Sequence, residues 1–189
     1  GTVTNTAAAS EDIFIMSVAV TGPYNWTRGV HSNGQDLGKG ITQNTSGVFI
    51  TGAISSSANF PSYASNPVAV GASGLDIFVA QLSKFTGNTN WVKSEPGNND
   101  QIAFSVCVDT SNLICISGAF DSGINFGGGP SITSSGNEDV FVAAYSQLGT
   151  IQWVTQAGDN GTDVSYAIAS HNNGEIYIAG SYENNAAFG

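Results

Sequence analysis

The chain has 189 residues, 41% of them hydrophobic but only 10% charged, and a formal net charge of −10 set by 14 acidic and four basic side chains. Arg28, Lys39, Lys84 and Lys93 cannot assemble the positive footprint that phosphates require, so nucleic-acid binding is excluded, and an anionic bilayer surface would repel the chain. No apolar run approaches the roughly 20 residues that cross a bilayer.

Gly, Ser, Thr and Asn fill the polar positions in place of the usual charges. That balance belongs to a β-rich, loop-rich chain facing the outside of a cell. Gly1 is not an initiator residue, which leaves room for a leader or for more chain.

The first landmark is Asp12-Ile13-Phe14-Ile15. It returns as Asp76-Ile77-Phe78-Val79 and as Asp139-Val140-Phe141-Val142, at steps of 64 and 63 residues. Self-similarity at a fixed period marks a repeat architecture. The repeats run over 12–75, 76–138 and 139–189, the last completed by 1–11 in circular permutation. Other landmarks keep the phase: Trp26, Trp91 and Trp153 after each motif, then Asp36, Asp100 and Asp163, then Gly52, Gly118 and Gly180 at the close of an apolar run.

The second repeat shows the unit best. Asp76 to Leu82 alternates in the manner of a strand with one face more apolar than the other. Phe85 to Thr89 is a turn, since Gly87 and Asn88 supply positive φ cheaply. Asn90 to Ser94 is a second short strand. After the loop Glu95 to Asp100, Ile102 to Val108 is a third, and Leu113 to Phe120 a fourth. Gly128 to Gly136 and Pro67 to Val70 are candidates for short extra strands. No window carries helical periodicity.

Four strands per repeat at meander spacing predict an all-β protein, a β-propeller with three four-stranded blades per chain. The third strand carries small residues in the other repeats (Gly38, Gly40; Ser165, Ala167), which places it innermost, where blades converge. The Trp strand is then outermost.

The string D-I-F-V-A-x-L at Asp76–Leu82, G-x-x-x-W-V-K at Gly87–Lys93, Gly97-Asn98-Asn99-Asp100, and Ile-x-Gly-Ala/Ser-Phe/Tyr at Ile116–Phe120 and Ile178–Tyr182 closely resemble the bacterial-type β-propeller repeat called SBBP. The resemblance covers essentially the whole chain. It implies a non-enzymatic structural or interaction module of a secreted, cell-surface or virion-surface protein, with no catalytic residues.

Three repeats fall short of the four to eight blades of a closed propeller. The N-terminal stretch supplies two outer strands of one blade and the C-terminal stretch two inner strands of another. Two copies of the chain would therefore make six blades, each completing the other's split blade. Further blades of a longer chain are the alternative partner.

Candidate sites are few. Asp36, Asp100 and Asp163 stand in equivalent loops and form either a ring of carboxylates suited to Ca²⁺ or three turn caps. The Trp residues read as inter-blade packing or as sugar platforms. Tyr24, Tyr63 and Tyr182 are the better candidates for a glycan ligand, as in a propeller lectin. A hydrolase or lyase with its site in the channel is the third reading. His31 and His171 lack the spacing of a metal site, and no nucleophile elbow or phosphate loop occurs. Cys107 and Cys115 fall on neighbouring strands of one hairpin, either as a cross-strand disulfide or as two small buried hydrophobes, with Ile41 and Phe49 in their places in the first repeat.

Overall fold

The computed structural model describes residues 2–3, 10–63 and 74–188. The suspected strand at Pro67–Val70 lies outside them. Among the described residues there is no helix and there are twelve strands. The first repeat contributes β1 (Ile13–Val18), β2 (Tyr24–Val30), β3 (Asp36–Gln43) and β4 (Val48–Ile54). The second contributes β5 (Asp76–Leu82), β6 (Thr89–Glu95), β7 (Gln101–Val108) and β8 (Ile114–Asn125). The third contributes β9 (Ser131–Tyr145), β10 (Ile151–Ala157), β11 (Val164–Ser170) and β12 (Ile176–Ser181).

The repeat is not the sheet. Two complete sheets form, in the orders β3-β4-β5-β6 and β7-β8-β9-β10, flanked by the two-stranded pairs β1-β2 and β11-β12. Each complete sheet therefore takes its last two strands from the next repeat. Instead of three whole four-stranded sheets, the described residues form two, with an outer pair of strands at one end and an inner pair at the other. Gly128 to Gly136 makes no separate strand: β9 begins at Ser131, and its first residues pair with a prolonged β8, Asn125 opposite Ser131.

Each sheet is apolar on both sides, which the alternation in Asp76–Leu82 understated. All seven residues of β5 are buried. Ile77 and Val79 enter one core with Phe49, Ile116, Phe120 and Phe141, between the two complete sheets. Phe78, Ala80 and Leu82 enter another with Ile13, Ile15, Trp26 and Val30 of the β1-β2 pair. Across the second complete sheet, Phe141, Ala143 and Tyr145 face the first core, whereas Val142 and Ala144 meet Ile168 of β11. At roughly 1.5–3 kcal/mol for each large side chain buried, neither face is stable uncovered.

The small residues of the inner strands and those of the strands facing them have separate causes. Gly40 lies against β7: a Cβ there would stand 3.0 Å from the Val106 amide nitrogen. Ser165 Oγ bonds Ser117 Oγ at 2.9 Å, and Ile168 N donates to Ser105 Oγ at 3.2 Å, joining β11 to the preceding sheet. The second cause is a β-bulge that recurs in each inner strand, between Gly38 and Gly40, Ala103 and Ser105, and Ser165 and Ala167. It pushes a backbone carbonyl toward the facing strand. A Cβ on Gly52, Gly118 or Gly180 would lie 1.8 to 1.9 Å from the carbonyl oxygens of Leu37, Ile102 and Val164 respectively. The glycine that closes each apolar run is required by the bulge opposite it.

Gly118→Ala is expected to cost about 3 kcal/mol, lowering the thermal midpoint by about 6–12 °C. Gly123→Ala, at a glycine of the same strand whose added Cβ would meet nothing nearer than 3.9 Å, should shift it by under a tenth as much. Calorimetry of the two variants checks this, and equal shifts would contradict the bulge explanation.

Candidate interaction surface

Two of the three Trp residues are joints between sheets. Trp26 on β2 donates its indole N–H to the Lys84 carbonyl at 3.0 Å, in the turn after β5. Trp91 on β6 donates to the Gln147 carbonyl at 2.9 Å, in the turn after β9. Each ring rests on a glycine with positive φ: Gly87 (φ 70°) under Trp26 and Gly149 (φ 74°) under Trp91. A Cβ at Gly87 would stand 2.5 Å from Trp26 Cε3, and one at Gly149 2.9 Å from Trp91 Cδ2. Only glycine permits both the backbone and the ring. Trp153 on β10 occupies the same position in the third repeat, yet it is 36% exposed and its indole N–H meets no acceptor among the described residues.

The two half-sheets carry the exposed apolar surface. Phe14, Met16 and Val18 project from β1, and Val20 stands free in the turn that follows. Tyr177 and Ile178 of β12 and Phe188 beyond it are exposed as well. Among the described residues the edges of β1 and β12 have no strand beside them, whereas the equivalent edges inside the chain are paired, β4 with β5 and β8 with β9.

The carboxylates expected to form one ring do not occupy equivalent positions. The N–H of Asp36 donates to the Glu11 carbonyl at 2.8 Å, that of Gln101 to Leu75 at 2.7 Å, and that of Asp163 to Glu138 at 2.7 Å. Gln101, not Asp100, is therefore the match of Asp36 and Asp163. The turn between β5 and β6 is one residue longer than its counterparts, so Asp100 falls one residue short of the equivalent position, where it is exposed and caps the Leu75 N–H at 2.9 Å. Asp163 is buried and accepts from the Asp159 and Glu183 amides. Among the described residues no three His, Cys, Asp or Glu side chains gather as a metal site would require. Asp100 instead joins Asp121 and Glu138 around a cleft of about 590 Å³ also lined by Asn99, Asn137 and Thr162. Burial, then the charges of Asp100 and Asp121, hold the Glu138 carboxyl above its usual range.

Asp36 is the chemically unusual member. It is buried, accepts the Ser32 hydroxyl at 2.8 Å through Oδ1, and leaves Oδ2 without a partner among the described residues. Burial raises its pKa to about 6, against the Ser32 bond that lowers it, and the Asp12 charge adds to the rise.

Of the three tyrosines, Tyr24 and Tyr182 are exposed, at the start of β2 and just beyond β12, whereas Tyr63 packs half-buried against the core between β1-β2 and the first complete sheet. A pair that sequence reasoning missed lies in the core. Glu95, at the end of β6, accepts the Tyr145 hydroxyl at 2.9 Å and the Gly127 N–H at 2.6 Å across two sheets. Burial raises both groups' pKa values. The other repeats place Val30 and Ala157 at the position of Glu95, so a buried Glu where neighbours are apolar was the available signal. Cys107 and Cys115 are directly opposed and unoxidised. The partner of Phe49 in the first repeat is Thr42, not Ile41, because the hairpin turn between β7 and β8 is one residue longer than that between β3 and β4.

No family model matches the chain. It is similar to an uncharacterised WD repeat-containing protein of Acanthamoeba polyphaga mimivirus, with 29% identity over 175 residues. The similarity covers 85% of this chain and 13% of that protein, so the chain corresponds to a small part of a much longer relative.

Because the folded Asp36 pKa lies above the usual carboxylate value of 3.8, its contribution to stability is present in full below about pH 4 and lost as pH rises through 6. Urea unfolding from pH 4 to 7 should show a fall of up to about 3 kcal/mol from this group. Asp36→Asn should remove that fall, and Asp12→Asn should lower the Asp36 pKa measured by carboxyl ¹³C NMR.

Proposed function

We propose that the chain is a non-enzymatic protein-interaction module, part of a β-propeller of SBBP-type repeats at a cell or virion surface, and that it self-associates by completing split blades. The observation that carries this reading is the pair of half-sheets, each with an unpaired edge and exposed apolar side chains where every complete sheet has a neighbouring strand. Unpaired edges of this kind template strand addition. The similarity to a WD repeat-containing protein supports a role in protein association. The surface location rests on the resemblance of the repeats and on a composition poor in charge.

A propeller lectin is the second reading, favoured by the exposed rings of Tyr24 and Tyr182, which could stack on sugars.

Sedimentation velocity across the micromolar range should give a species of twice the 19.4 kDa chain mass, and a single monomer peak throughout would end the self-association reading. Glycan arrays probed with the same protein should remain blank; a signal lost on Tyr24→Ala or Tyr182→Ala would favour the lectin instead.

A further inference from the structure

The chain already builds one joint twice, and the residues of a third are present but apart. In the first two copies, a fourth strand pairs with the first strand of the next repeat in a fixed register, Gly52 opposite Phe78 and Gly118 opposite Phe141. The Trp on the preceding sheet then seats on the turn that follows that first strand. The turn after β1 is built as the turn after β9 is. Ala19 N donates to Pro23 O and Gly22 N to Ala19 O, as Ser146 N does to Thr150 O and Gly149 N to Ser146 O. Gly22 has positive φ (101°), as Gly149 does, but a Cβ placed there would meet nothing within 4 Å. So among the described residues Trp153 has no glycine turn, and the Gly22 turn has no Trp.

We propose that a second copy of this chain docks its β1-β2 hairpin on the free edge of β12, with Gly180 facing Phe14 of the second copy and Trp153 seated on that copy's Gly22 turn. This rests on the self-association proposed above and fixes which atoms meet. The register follows from the two joints inside the chain: Ile178 faces Met16, and Ile176 faces Val18. The Trp153 N–H donates to the Val20 carbonyl, the counterpart of Gln147. A third contact extends a row of bulge residues. Lys39 lies 6.0 Å from the Phe104 ring centroid, and Phe104 stacks edge-on against Tyr166 at 5.5 Å. Tyr166, at the open end of that row and 55% exposed, receives Lys39 of the second copy. The second copy is the occupant because its first repeat carries the face that Phe78 and Phe141 present inside the chain.

The test uses the 189-residue protein with Cys107→Ala and Cys115→Ala, to which Met16→Cys and Ile178→Cys are added. Oxidation should give a covalent dimer on non-reducing gels. The slipped pair Ser17→Cys with Ile178→Cys should not, because a one-residue slip puts the thiols on opposite faces. Gly22→Asn keeps a residue that tolerates positive φ, yet its Cβ should strike Trp153 and weaken dimerisation at least tenfold, with the monomer's thermal midpoint unchanged. Trp153→Ala should do the same. A dimer that cross-links only in the slipped register, or is indifferent to Gly22→Asn and Trp153→Ala, overturns this joint and leaves self-association standing. A chain that stays monomeric overturns both and assigns the β12 edge to a further repeat of a longer chain.

Discussion

Each small sheet in this protein has two apolar faces and no layer of helices to cover either. The faces can be covered only by other sheets, so every sheet needs a neighbour on both sides. β5 illustrates this: Ile77 and Val79 look into one core while Phe78, Ala80 and Leu82 look into the next. A single repeat would leave both faces in water, and the energy recovered by burial would not offset the entropy of ordering the strands. Stability is therefore collective, and the elements left partly uncovered are the half-sheets at the two ends of the series.

The same need explains which residues recur. Sheets that pack along a shared inner edge require small side chains there, and bulges in that strand drive a carbonyl into the space a Cβ would fill on the facing glycine. At the outer edge the gap between sheets widens, and a Trp fills it while its N–H finds a carbonyl in the neighbouring turn. These are packing solutions repeated because the joint is repeated. The Trp residues are thus accounted for without a ligand, except where the joint is open at Trp153.

The carboxylates divide in the same spirit. Asp36 and Asp163 are buried beside the start of an inner strand and are engaged by their own loops, whereas Asp100 has moved outward into an acidic cleft. A residue-by-residue count from Asp12, Asp76 and Asp139 puts the three in register, but the turn between β5 and β6, one residue longer than its counterparts, breaks it. The surface that remains for interaction is apolar at the sheet edges and acidic at the cleft, a combination that suits recognition of protein better than of an anionic polymer.

Spacing in the sequence sufficed to establish the repeat, the strand content, the order from the small-residue strand inward to the Trp strand outward, and the division of the ends into an outer and an inner pair. Those properties are local or periodic, and periodicity is written directly in residue order. Tertiary structure alone decided that Gln101 replaces Asp100, that Thr42 rather than Ile41 faces Phe49, and that Glu95 is tied to Tyr145 fifty residues away. One extra residue in a turn shifts every later position by one, and which landmark keeps the register is decided only when the strands pair. Side chains also meet across sheets that are distant in the chain, and such contacts leave no mark in the spacing of motifs.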